Sequence, residues 1–156
     1  VIVSRWFAIP LRLIVGYGFI AHGYAKLIKG PQNFAGILHA LGVPAPGLMA
    51  WLTIIVEIGG GLAVLLGALV ALASIPMAAV LLTAMFSVHL RYGFSSIKLQ
   101  AITASGAQFG PPGYEVDLLY LACIAALVIG GAGPWAVDNW IRRRFARHRA
   151  AQGVAS

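Results

Sequence analysis

The stretch Leu48–Leu90, LMAWLTIIVEIGGGLAVLLGALVALASIPMAAVLLTAMFSVHL, carries a single Asp, Glu, Lys or Arg, Glu57. A bilayer hydrocarbon core about 30 Å thick needs roughly 20 apolar residues of helix, so this run holds about two spans. It divides into predicted helices over about 48–66 and 73–90, turning near Gly67–Leu72. Pro76 then falls in the first turn of the later helix, where its missing N–H does least harm.

Working outward, the same ruler finds a span over about 6–27 and another over about 116–136, the last loosened by Gly130, Gly131, Gly133 and Pro134. Arg12, near the start of the first, is expected to snorkel to the headgroups. The predicted fold is all-α, an integral membrane bundle of four helices. Between the first two spans, Phe34, Ile37, Leu38 and Leu41 recur at helical spacing between Pro31 and Gly42, which predicts a short amphipathic helix on the outer surface. The longer connection over about 92–113 is rich in Gly, Ser and Pro and is expected to be irregular, capping the same face.

Of 156 residues, 60% are hydrophobic and 10% charged, too apolar for a soluble domain of this size. The net charge of +7 would suggest nucleic acid in a soluble protein. Here Arg142, Arg143, Arg144, Arg147 and Arg149 gather after the last span, the pattern of a cytoplasmic tail over 142–156 facing anionic lipid. An even number of spans returns Arg5 to the same side, so both termini are expected in the cytoplasm of a cell with the chain in its inner (plasma) membrane. The bilayer is the expected partner, and nucleic acid is not. The apolar run after Arg12 leads into His22, Tyr24 and Lys26 rather than a small-residue cleavage site, so it does not read as a signal peptide.

Lone Cys123 rules out an intramolecular disulfide or a dithiol pair. No phosphate loop, dinucleotide fingerprint or nucleophile elbow is present. Gly59, Ala63 and Gly67, four residues apart, suggest a helix contact stripe. Asp138, near the cytoplasmic end of the last span, is expected to pair with an arginine.

A carboxylate inside a span is costly and usually faces the bundle interior. Glu57 shares its helix side with Thr53, Gly60 and Gly61, so it should point inward. Alternating helix directions place His22, Lys26, Glu57, His89, Arg91, Glu115 and Asp117 in one half of the membrane. One reading is structural: Glu57 pairs with Lys26 or Arg91. Another is a proton-handling pocket for an amphipathic ligand such as a quinone, with Glu57, His22 and His89 exchanging protons and Lys26, Glu57, Arg91 and Glu115 binding the ligand. A metal or haem between His22 and His89 has no supporting ligand spacing, and no metal site is expected.

His22-Gly-Tyr-Ala-Lys26-Leu, Glu57-Ile-Gly-Gly-Gly running on to Gly67, Gly113-Tyr-Glu115 and Gly131-Ala-Gly-Pro-Trp-Ala-Val-Asp138 resemble, in that order, the DoxX family, over about Arg12 to Asp138. The resemblance implies four membrane helices, and it matches Lys26, Glu57, Glu115 and Asp138 to recurrent polar positions. It also implies small subunits tied to terminal quinol oxidation or to thiosulfate:quinone oxidoreduction, and members that assemble with redox-protective enzymes. The expected role is an accessory subunit of a quinone-linked redox or respiratory complex, binding no cofactor of its own beyond a quinone. The alternatives are a self-contained small quinone-dependent oxidoreductase, and a structural or carrier bundle without redox chemistry.

Overall fold

The computed structural model describes residues 6–141, 143 and 144. Arg5 and most of the basic tail, Arg142, Arg147, His148 and Arg149 included, lie outside the described residues. Helix α1 spans Ala8–Lys29 and α2 Pro31–Ala40. Helix α3 runs over Pro46–Leu66 and α4 over Val70–Tyr92. A hairpin of β1 (Leu99–Thr103) and β2 (Gly106–Phe109) follows, then α5 over Glu115–Gly130.

Local chemistry sets these limits. Gly30, at φ +97°, ends α1, and Pro31 opens α2 in the first turn, where no N–H is missed. Pro46 opens α3 in the same way, and Gly67, at φ +67°, ends it. Helices α3 and α4 are each long and apolar enough to cross a membrane. Helix α1 carries Arg12, Lys26 and Lys29, and α5, with 16 residues, extends about 24 Å. The four pack on one another around Val15, Phe19, Val64, Met77, Ile124 and Leu127.

Six expectations are corrected. The connection after α4 is ordered: β1 and β2 pair antiparallel from Leu99↔Phe109 to Thr103↔Gly106, with a bulge between Leu99 and Ala101. Helix α5 ends at Gly130 rather than near 136, because Gly131 and Gly133 take φ of +81° and +73° and turn the chain. Helix α4 starts three residues early, which leaves Pro76 inside it. The cause is Asp138. Its carboxylate accepts the N–H groups of Leu69 (2.9 Å) and Val70 (3.4 Å), capping α4 instead of pairing with an arginine.

Arg12 does not snorkel. It is 7% exposed and donates Nε to Val64 O, Nη2 to Leu65 O, and Nη1 to both Ala132 O and Pro134 O, at 2.8–3.1 Å. The last carbonyls of α3 lack intrahelical donors and carry the negative end of the helix dipole, so they are a natural seat for a guanidinium.

The contact stripe is displaced in part: it holds at Gly67, where a Cβ would lie 2.7 Å from Ala136 Cβ, but not at Gly59. A side chain at Gly59 would meet nothing within 4 Å, whereas a Cβ at Gly61 would lie 2.8 Å from Gly16 O and one at Gly60 2.8 Å from Met77. Residues Val56–Gly60 form a π-helical turn, whose extra residue rotates the upstream face by about 100° against the downstream one. Four-residue spacing counted through that turn therefore no longer marks one face.

Candidate functional site

Glu57 sits in the π-helical turn of α3 and is 5% exposed. Its two carboxylate oxygens accept from Lys26 Nζ at 2.7 and 2.8 Å, and the ammonium also lies 5.2 Å from the Phe34 ring centroid. Gly23 makes this approach possible. A Cβ there would come within 2.7 Å of Ile58 and 2.9 Å of Glu57 Cβ. Across from the pair, His89 ends a second π-helical turn, Met85–His89, and its Nδ1 lies 2.6 Å from Asp117 Oδ2. With Asp117 ionised the proton resides on Nδ1, which leaves Nε2 as the nitrogen available to a ligand.

Both pairs border one cavity of about 420 Å³. His22, one turn before Lys26 on α1, joins them in its wall, and Phe19 and Tyr120 supply an aromatic side, edge to face at 5.7 Å. Lys26 and Glu57 also border a second cavity of about 360 Å³. The arrangement is one ammonium, two carboxylates and two imidazoles in a largely apolar wall, the mixture that orients a ligand by a few polar groups. It can donate to a carbonyl oxygen and can take or give protons at His89 and His22. π-Helical turns recur at functional sites because the inserted residue re-aims side chains, and here two of them frame one cavity.

Of the residues singled out in the sequence, His22, Lys26, Glu57 and His89 are brought together, and Arg91 and Glu115 are not. Arg91 is exposed with its guanidinium 4.8 Å from the Tyr92 ring centroid. Glu115 accepts the Ser96 N–H at 2.9 Å and fastens the hairpin connection to the start of α5. Residues two apart on a helix do not share a face, so Asp117 turns into the cavity and Glu115 away. Asp117 and Tyr120 were missed as site residues. The signal for Asp117 was its depth in an apolar helix, in the same half as His89. Among the described residues, no group of three or more His, Cys, Asp or Glu is placed to hold a metal ion.

The sequence model of the DoxX family matches residues 7–90. The chain is a member of the DoxX family. The matched part carries His22, Lys26, Glu57 and His89, while Asp117 comes from the DoxX chain's remaining helix. An uncharacterized protein of Haemophilus influenzae is 30% identical over 86% of this chain and 90% of its own length. An uncharacterized membrane protein of Mycobacterium tuberculosis is 30% identical over 87% of this chain and 82% of its own. The inner membrane protein YqjF of Escherichia coli is 35% identical over 69% of this chain and 87% of its own. No solved structure gives a significant match. Membership of DoxX and these relatives make the chain a membrane protein.

Proposed function

We propose that this DoxX protein crosses the inner (plasma) membrane four times, with both termini cytoplasmic, and serves as an accessory subunit that holds a quinone for a larger redox complex. The observation that carries the reading is the single cavity joining Lys26–Glu57, His89–Asp117 and His22. At about 420 Å³ it falls in the range of roughly 300–1,000 Å³ that takes small ligands. A quinone accepts two electrons and two protons to become a quinol. Its carbonyl oxygens therefore need a hydrogen-bond donor before reduction and a proton source during it. Lys26 supplies the former, and the imidazolium forms of His89, with Nδ1–H held by Asp117 and a second proton on Nε2, and of His22 supply the two protons. The electrons are assigned to a redox centre of a partner subunit, since the sequence has no dinucleotide fingerprint.

Topology follows from the spans and the basic tail. Helices α1 and α5 pack along α3 and α4, which are long and apolar enough to cross a membrane, and this supports four crossings. The name of the Escherichia coli relative supports the inner membrane. The site then lies toward the outer face.

The test is purification from native membranes followed by quinone titration of the isolated chain. Co-purification with cofactor-bearing subunits, quinone binding by the chain alone, and quinol turnover only in the complex are expected. Turnover by the isolated chain would assign it as a self-contained oxidoreductase, and no binding at all would leave a structural or carrier bundle.

A further inference from the structure

Beside the polar cavity runs the second one, about 360 Å³, beneath the amphipathic helix α2. Its roof is Phe34, Ile37 and Leu38 of α2, and its sides are Leu52 and Val56 of α3 and Ala79 and Val88 of α4. Three hydroxyls border it, and each is already engaged with a backbone carbonyl one turn earlier: Thr53 with Met49, Thr83 with Ala79, and Ser87 with Thr83. The groove therefore offers no free hydroxyl donor and suits hydrocarbon. On its rim Ile37 of α2, Leu52 of α3 and Ala79 of α4 are exposed. The groove and the polar cavity share Lys26, Glu57, Val80 and Ala84, so they meet at the ion pair.

The geometry points to a ligand of two parts: a polar head in the cavity of Lys26, Glu57 and His89, and a hydrocarbon tail that enters sideways from the bilayer and lies in the groove under α2. This rests on the quinone reading of the polar cavity and adds the substrate class, a quinone with a long apolar chain. The tail, rather than an independent acyl chain of a phospholipid, is the occupant because the two spaces adjoin at four shared residues, Lys26, Glu57, Val80 and Ala84. Helix α2 is then the roof of the tail channel, held to the head site by Lys26 against Phe34.

The experiment uses the full chain in nanodiscs and compares a decyl-substituted benzoquinone with its methyl-substituted counterpart. Corrected for partition into protein-free nanodiscs, wild type should bind the decyl compound tighter by about tenfold or more, through the van der Waals contacts of the tail in the groove. Ala79→Trp fills the groove from an exposed position and should abolish that advantage, leaving methyl-quinone binding within about twofold. Thr83→Trp, also exposed and lining only the groove, serves if Ala79→Trp fails to fold. Retention of the advantage in a folded groove-filled variant overturns the tail assignment while the head site stands. So does equal binding of the two compounds to wild type, or mass spectra showing a phospholipid still bound beside the decyl quinone. Failure of both compounds to bind overturns the head site and the tail channel together.

Discussion

Lys26 and Glu57 meet as an ammonium against both oxygens of one carboxylate, and removing either partner strands the other in a low-dielectric setting. Lys26→Met is expected to lower unfolding stability by about 3 kcal/mol, the lower end of the range for broken buried pairs, because the Lys26 side chain is 23% exposed. Thermal unfolding in detergent checks it, and adding Glu57→Leu should restore most of the loss. Asp117→Asn keeps the shape but withdraws the charge that holds His89. It should weaken quinone-analogue binding by about tenfold at unchanged helix content, read by titration and circular dichroism. Much of this site was legible in the chain. His22, Lys26, Glu57 and His89 stood out because polar groups at membrane depth need a reason. The choice between Glu115 and Asp117 was not legible, since it depends on the rotation of α5 about its axis.

Among the elements, the π-helical turn at Val56–Gly60 controls which glycines matter. Gly61→Leu forces α1 and α3 apart and should destabilise by about 3 kcal/mol or more. Gly59→Ala, with open space around it, should be neutral or stabilise by up to about 1 kcal/mol through helix propensity. The pair, compared by melting temperature, separates the observed contact face from the one that four-residue spacing suggests. The long helices were readable from apolar length alone, and α2 from its spacing and flanking Gly and Pro. The π-helical turns were not: Gly59-Gly60-Gly61 loosens the first, but Met85–His89 carries no comparable signal. The hairpin could have been found, since Ser105-Gly106 after Leu99-Gln-Ala-Ile-Thr is a turn between short strands. Its strands are exposed throughout, so replacing residues 99–109 by a short Gly-Ser link should leave the melting temperature within a few degrees.

At the scale of the molecule, Arg12 joins the start of α1 to the end of α3 and to the turn after α5, and Asp138 fastens that turn to the start of α4. Arg12→Lys should cost about 2–4 kcal/mol despite keeping the charge, because a single ammonium cannot reach carbonyls on both sides of the fork. Chemical denaturation checks it. The other end is tied differently. Lys26–Glu57 links α1 to α3, and His89–Asp117 links α4 to α5. Among the described residues, no polar bond crosses from one of these helix pairs to the other at that end. The molecule is thus built like tweezers, two stiff arms riveted at Arg12 and Asp138. The gap between the tips is held only by apolar contact, so a guest can spread the arms without severing any ionic link.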